Sequence, residues 1–242
     1  MHFQHLNDLK VEMKKYAGFM NPEQVRVPSN EAVKHLSDEN ICLPIDNPRD
    51  PVVLAFTLIL DNKKTNKNCA QLIRTMCNCL KSEVITGDAL STIVRKLENF
   101  NEIDEETALK IIQFTTLIIS NHFLEMHIFQ SILSLILSYC TSYNELVSTS
   151  AIAAAGQIVS SFFLFARDKK DTLTTVNKRD IDLCFSMSCD KSISFDNHIY
   201  KVTYLVIRDF VRLACGQSAL WLRVQNFKAG VAYEMIENII KD

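Results

Sequence analysis

The fold of this 242-residue chain is decided by an apolar stretch near its middle. Residues 126–166 read MHIFQSILSLILSYCTSYNELVSTSAIAAAGQIVSSFFLFA, and Glu145 is the only Asp, Glu, Lys or Arg among them. Helices this apolar on every face are typical of the central layer of a large helical domain. The apolar stretches before and after Glu145 are each long enough to span a membrane. A connection of one acidic residue is too short to reverse the chain between two spans in the headgroup region. We therefore expect two buried helices of a soluble domain.

Proline, glycine and charge narrow the class of protein further. All five prolines lie in the first 51 residues, and the whole chain has only five glycines. This scarcity disfavours a turn-rich β fold and favours stacked helices. The net charge of −2 lacks the basic excess of a nucleic-acid-binding protein, so we expect no nucleic-acid partner. A basic turn with Lys63, Lys64 and Lys67 fits either a solvated loop or a contact with acidic lipid headgroups.

Apolar residues recur at helical spacing along most of the chain. The pattern predicts a first helix over residues 6–20, a short helix with Ser29 as its N-cap, and a regular series that begins at Pro51. Later members of the series are predicted over 123–140, 144–166, 178–185, 196–215 and 218–241. This rhythm predicts an all-α fold, an armadillo- or HEAT-like α-solenoid of stacked antiparallel helices.

A polar, charged segment interrupts the rhythm near residue 170. We therefore predict four regions, separated where the composition changes. They are N-terminal helices and a proline-containing connector over 1–49, a helical domain over 50–167, a linker over 168–196, and a second helical region over 197–242.

Residues with catalytic or metal-binding chemistry form no convincing group. The sequence has no glycine-rich phosphate loop, nucleophile elbow or helical His-Glu zinc motif. Cys77 and Cys79, with Cys69 on a neighbouring helix face, are the best zinc candidates, but tetrahedral zinc needs four converging ligands. His122 and His127 are five residues apart and so do not share a helix face. We expect buried thiols in a reducing cytosol, and no metal, cofactor or catalytic activity.

Two stretches of the chain resemble a family of membrane-traffic proteins. The first is SAIAAAGQIV at residues 150–159, followed by Phe163. It resembles the final helix of the dimerisation and cyclophilin-binding (DCB) domain, in which a small-residue run precedes a glutamine, here Gln157, then two apolar residues and a phenylalanine. That domain opens the large Golgi Arf guanine-nucleotide exchange factors and their non-catalytic relative Mon-two.

The second stretch resembles the start of the homology-upstream (HUS) region, which follows the DCB domain in the same family. The matching residues, in chain order, are Lys201, Tyr204, Asp209, Leu213, Trp221 and Leu222. Residues 233–240, YEMIENII, then resemble the next helix of that region, with Glu234 and Glu237 at its acidic positions. The joint order of these motifs over roughly residues 50–242 carries the resemblance. Phe210, where the family has leucine, departs from the pattern.

The resemblance implies a non-catalytic scaffold for vesicle-mediated protein transport at the Golgi and endosomes. Such a scaffold would be cytoplasmic, form a homodimer, bind an Arf-family or Arf-like small GTPase, and lie peripherally on the membrane. Two alternatives stay open: the regulatory N-terminal half of an Arf guanine-nucleotide exchange factor, and a generic helical-repeat adaptor.

The residue types of the motifs favour packing over partner contact. Aromatic and aliphatic side chains such as Tyr204, Trp221 and Leu222 belong more often to a core than to a contact surface. Asp209 and Gln157 are expected to satisfy buried backbone groups or helix caps.

Overall fold

The computed structural model describes residues 2–62, 69–98, 100, 104–121, 126–168 and 198–241. These residues form helices joined by turns, with two isolated β-bridges and no β-strand among them. The predicted all-α class is therefore confirmed, and the α-solenoid order of the helices stays a prediction. The chain divides into two compact units, Met1–Asn121 and His122–Asp242.

Six helices are described in the first unit. They are α1 (His2–Tyr16), α2 (Glu23–His35), α3 (Pro51–Asp61), α4 (Ala70–Lys81), α5 (Gly87–Glu98) and α6 (Glu105–Asn121). α1 packs on α2 and α4, α2 packs on α3, α3 on α5, and α4 on α6. Large side chains on these helices have almost no exposed surface and form the core: Leu9, Met13, Phe56, Ile59, Leu72 and Phe114.

Two helix starts in the first unit follow from capping signals in the sequence. Asp50 caps α3, because its carboxylate accepts a hydrogen bond from the Val52 N–H at 2.8 Å. The same carboxylate lies 2.9 Å from Nε2 of His35, the last residue of α2, and so joins the two helices. Asp104 accepts hydrogen bonds from the N–H and the hydroxyl of Thr107, at 2.9 and 2.7 Å, where α6 begins. Each cap satisfies backbone donors that the helix itself leaves unbonded.

The prediction that a short helix begins after Ser29 is wrong. The structure has one helix, α2, which begins directly after Pro22 and continues through Pro28. Ser29 is buried inside this helix, and its hydroxyl donates to the Val25 carbonyl at 2.7 Å. Proline removes one backbone hydrogen bond from a helix interior. The packing of α2 against α1 and α3 outweighs that loss, as tertiary contacts commonly outweigh local propensity.

The first helix also differs from its predicted extent. The apolar spacing extends to Met20, whereas α1 ends at Tyr16 and Met20 is exposed in the turn that follows. Asn21 explains the early end, because its side-chain amide donates to the carbonyls of Lys15 and Tyr16 at 2.9 and 3.1 Å. These carbonyls belong to the last turn of α1, so the amide takes the place of the next helical N–H groups.

Four helices are described in the second unit. They are α7 (Met126–Tyr139), α8 (Glu145–Asp168), α9 (His198–Ala214) and α10 (Ala229–Lys241). α8 packs on α7, α9 and α10, and α9 packs on α10. α8 is thus the central helix of this unit, and it contains most of the apolar stretch on which the fold prediction rests.

Small residues on α8 allow its neighbours to approach closely. A Cβ atom added to Gly156 would lie 3.2 Å from Nδ2 of Asn238 and 4.0 Å from Cε of Met235, both on α10. On the side of α7, the Phe162 ring stacks on Phe129 with 4.2 Å between ring centroids. The small-residue run therefore serves helix packing, as expected from its composition.

α8 is the one helix in the described ranges that is long and apolar enough to cross a membrane. Residues Glu145–Arg167 have a mean hydropathy of 1.5 over their most apolar window, and 39% of that window is buried inside the protein. By length and composition alone, core helices pass the same test. α8 packs on three other helices but exposes part of its surface, so the expectation of a buried helix is met only in part.

The helix predicted from Ser218 is wrong, because α10 begins only at Ala229. α9 is followed by a left-handed residue, Gly216, with φ of 73°, whose N–H donates to the Leu213 carbonyl in the last turn of α9. Such a glycine reverses the chain direction at a helix end. Arg223 and Asn226 also have positive φ, 56° and 53°, which a helix excludes. Residues 215–228 therefore form a non-helical turn between α9 and α10.

Several sequence predictions fall on residues outside the described ranges. They concern the basic turn at residues 63–67, His122, the helix over 178–185 and nearly all of the linker over 168–196. The division between the two units lies between residues 121 and 122, so that α7 and α8 share a unit with α9 and α10. The four predicted regions stay predictions.

We expect Asp50→Ala to lower the free energy of unfolding by about 1–2 kcal/mol, because the Val52 N–H loses its acceptor and His35 its partner. Asp50→Asn keeps a cap and should recover most of this loss. Urea denaturation followed by far-UV circular dichroism measures both. Glu39→Ala, which changes an exposed acidic residue after α2, is the control; an equal loss in that variant would contradict the capping argument.

Candidate functional site

Asp209, on α9, has a side chain with no exposed surface. Its Oδ2 atom accepts hydrogen bonds from the N–H groups of Trp221 and Leu222, at 2.6 and 2.9 Å. Its Oδ1 atom accepts hydrogen bonds from Nη2 and Nε of Arg208, at 2.8 and 3.1 Å. A buried carboxylate is tolerated only when it is both paired and hydrogen-bonded. Asp209 meets both conditions.

Two side chains of α7 bind the same turn from another direction. Nε2 of Gln130 donates to the carbonyl of Trp221, and Oγ of Ser134 donates to the carbonyl of Leu222 at 2.7 Å. The backbone N–H and C=O groups of both turn residues are therefore satisfied by side chains, with the donors on α7 and the acceptor on α9. We call this group the Asp209 cluster; it consists of Gln130, Ser134, Arg208, Asp209, Trp221 and Leu222.

The structure brings together three residues that the sequence singled out, Asp209, Trp221 and Leu222. The interpretation of Asp209 as a group that satisfies buried backbone is confirmed by its two hydrogen bonds to N–H groups. Trp221 and Leu222 are buried, as expected for core residues. These three residues hold the turn between α9 and α10 in place.

Sequence reasoning missed the other members of the Asp209 cluster. Gln130 and Ser134 are four residues apart on α7, so they share one helix face. A pair of polar residues on one face of an otherwise apolar helix was the available signal, because such a pair must find polar partners when it is buried. Arg208 offered a weaker signal, as a basic residue beside the motif aspartate.

Gln157 and Phe163 lie on α8. Gln157 is exposed, so the expectation that it satisfies a buried group is wrong. It shares a helix face with Leu146 and Leu164, which are exposed as well. Phe163 is half-buried and meets Phe162 edge to face, with 5.6 Å between ring centroids.

Tyr204 is half-buried on α9, while Glu234 and Glu237 are exposed on α10. Glu237 lies 2.8 Å from the Lys241 ammonium, and this hydrogen bond and charge lower the pKa of its carboxyl group. Tyr233 and Ile240 on the same helix are exposed too. We call Tyr233, Glu234, Glu237 and Ile240 the outer α10 face.

Four of the six described cysteines are buried: Cys69, Cys77, Cys79 and Cys140. No group of three or more His, Cys, Asp or Glu within the described ranges could hold a metal ion. Burial raises the pKa of Cys69 and Cys77 to about 11, and that of Cys79 and Cys140 to about 12. All four thiols are therefore protonated and unreactive at neutral pH.

Comparison with known proteins returns no family model, no curated protein and no solved structure that matches this chain. The resemblance to the DCB and HUS regions therefore rests on the residues quoted for it. The geometry divides the candidate site residues into three sets. Asp209, Trp221 and Leu222 are buried, Phe163 and Tyr204 are half-buried, and Gln157, Glu234 and Glu237 are exposed.

Asp209→Ala should lower the free energy of unfolding by about 3 kcal/mol or more, because two buried N–H groups and Arg208 lose their acceptor. Trp221 is the only tryptophan of the chain, so its emission reports on this turn directly and should shift to longer wavelength. Urea denaturation followed by this emission measures both effects. Glu234→Ala is the exposed control, and an unchanged emission and midpoint in Asp209→Ala would refute the structural role.

Alkylation should distinguish the exposed thiols from the buried ones among the described cysteines. We expect N-ethylmaleimide near neutral pH to modify Cys42 and Cys215, which are exposed, and to leave Cys69, Cys77, Cys79 and Cys140 intact until urea is added. Mass spectrometry of proteolytic peptides assigns each site. Rapid modification of a buried thiol in the folded chain would contradict the packing of its helix.

Because of the buried thiols, the free energy of unfolding should depend on pH in the alkaline range. Their pKa values are higher in the folded chain than the value of 9.0 for a free thiol, so the folded state retains protons that the unfolded state releases. The free energy of unfolding should accordingly fall as pH rises from about 9 towards 12. Urea midpoints measured across this interval test the sign, and a Cys79→Ala variant should show a weaker decrease.

Proposed function

We propose that this chain is a non-catalytic helical scaffold whose second unit binds an Arf-family or Arf-like small GTPase in Golgi and endosome traffic. The observation that supports the proposal is the exposure of Gln157, Glu234 and Glu237 on two helices that pack against each other. Asp209, Trp221 and Leu222 are instead buried in the Asp209 cluster. Exposed polar residues without a structural task are candidates for partner contact.

The exposed motif residues are chain neighbours of residues in the seam between α8 and α10. In this seam, Gly156 on α8 faces Met235 and Asn238 on α10. Gln157, Glu234 and Glu237 each directly follow or precede one of them in the chain. The seam is fixed by packing, so the proposed contact residues stand on rigid elements, which lowers the entropic cost of binding.

The chemistry of the outer α10 face indicates the kind of surface that it would bind. Glu234 and Glu237 supply negative charge, and Tyr233 and Ile240 supply exposed apolar area. Aromatic side chains anchor many protein interfaces, and surrounding charges set the rate and specificity of association. The partner surface is therefore expected to combine basic and apolar side chains.

The proposal is tested by binding to GTP-locked and GDP-locked GTPases of the Arf family, with the chain immobilised. We expect one nucleotide state to bind more strongly. The double variant Glu234→Lys with Glu237→Lys should weaken that binding by about tenfold or more, because two attractive charges become repulsive. Glu31→Lys with Glu39→Lys makes the same charge change at exposed positions of the first unit and is the matched control.

Equal weakening in both double variants would show that only net charge matters and would refute the α10 contact. Light scattering of the same samples tests self-association, since a homodimer has twice the 27.6 kDa mass of the chain. A monomer that binds no GTPase in either nucleotide state would favour the helical-repeat adaptor over the trafficking scaffold.

A further inference from the structure

The turn between α1 and α2 presents two apolar side chains to water. Phe19 is 93% exposed and Met20 is 98% exposed. Scattered apolar residues on a surface need no explanation. Two adjacent ones at the tip of a turn form a small protruding apolar surface, and such surfaces mark contact sites.

This turn has a defined structure that directs both side chains outward. The Asn21 side-chain amide donates to the carbonyls of Lys15 and Tyr16, and its N–H donates to the Gly18 carbonyl at 3.1 Å. From α2, the Asn30 side-chain amide donates to the Ala17 carbonyl at 3.3 Å. Hydrogen bonds thus hold the turn at both ends, and binding through its tip requires little further ordering.

Basic side chains surround the base of the turn. Lys14 and Lys15 form the last turn of α1 and are exposed, and the Arg26 guanidinium lies 5.4 Å from the centre of the Phe19 ring. Residues 12–26 contain these three basic residues and two acidic residues, Glu12 and Glu23, and Glu12 lies 2.5 Å from the Lys15 ammonium. The base of the turn is therefore net positive, in a chain whose net charge is −2.

We infer that the α1–α2 turn, residues 17–22, is a membrane-contact site. Phe19 and Met20 insert into the headgroup–acyl boundary of an anionic bilayer, and Lys14, Lys15 and Arg26 lie against its phosphates. Interfacial membrane anchors have the same arrangement, in which apolar side chains protrude and basic side chains lie behind them. The inference rests on the proposed function only for its cellular setting at a membrane.

The size and shape of the tip favour a bilayer over a protein as its partner. Two side chains of this size bury roughly 400 Å², well below the 1,200 Å² or so of a stable protein interface. A protein partner would also need a groove that matches a convex tip. A fluid bilayer adapts to the tip, and its anionic headgroups complement the three basic residues.

The test is co-sedimentation of the full chain with vesicles of phosphatidylcholine, with and without phosphatidylserine, in the absence of any GTPase. We expect binding to the anionic vesicles that weakens with salt. Phe19→Ser with Met20→Ser should reduce this binding by about tenfold or more, whereas Phe19→Leu with Met20→Leu should retain it. Tyr143→Ser with Leu146→Ser, which removes two exposed apolar side chains from the second unit, is the matched control.

A second variant tests how much the basic side chains contribute to vesicle binding, apart from the insertion of Phe19 and Met20. Lys14→Gln with Arg26→Gln should remove the preference for phosphatidylserine and weaken the salt dependence. Lys15 is left unchanged because its ammonium pairs with the buried Glu12. Because Phe19 and Met20 are exposed, the tip variants should keep the circular dichroism and melting temperature of the parent chain.

Equal binding by the parent chain and Phe19→Ser with Met20→Ser, or no binding to anionic vesicles, overturns the inference. Loss of GTPase binding in the tip variant without any vesicle binding assigns the tip to a protein contact instead. The vesicle assay contains no GTPase, so its failure leaves the proposed GTPase contact intact, and failure of the GTPase assay leaves the vesicle result intact.

Discussion

The buried carboxylate of Asp209 is the constraint on which the second unit depends. A charge with no exposed surface must have its hydrogen bonds supplied by the protein, and here the chain supplies four donor contacts from Arg208, Trp221 and Leu222. To bring those N–H groups to α9, the chain must reverse at Gly216 and return before α10 can begin. The position of α10 on α8, and with it the outer α10 face, follows from that turn.

Much of the helical order could be predicted from the sequence because helix starts are local events. Asp50 before Pro51, and the acidic residues from Asp104, fix the beginnings of α3 and α6 through hydrogen bonds within a few residues. The turn over 215–228 could not be predicted in this way. Its shape is set by Asp209 and by two side chains of α7, which are distant in the chain, and local propensity carries no information about them.

The candidate site, like the helical order, could be predicted only in part from the sequence. Trp221 and Leu222 have residue types that favour the core, and Asp209 was expected to satisfy buried backbone groups; the structure confirms both. The exposure of Gln157 could not be predicted, because helical periodicity identifies a buried face only when a polar face contrasts with it. α8 has no charged residue between Glu145 and Arg167, so its pattern cannot show which side faces water. The packing of Gly156 against α10 decides it.

The central position of α8 also determines how the second unit opens. Every other helix described there packs on α8, so α7, α9 or α10 cannot separate from the unit without uncovering part of α8. Proteins open in contiguous cooperative units, and helices packed on one common helix are expected to belong to the same unit. In hydrogen exchange, the slowest amides of α7, α9 and α10 should therefore converge on one opening free energy, that of α8 itself.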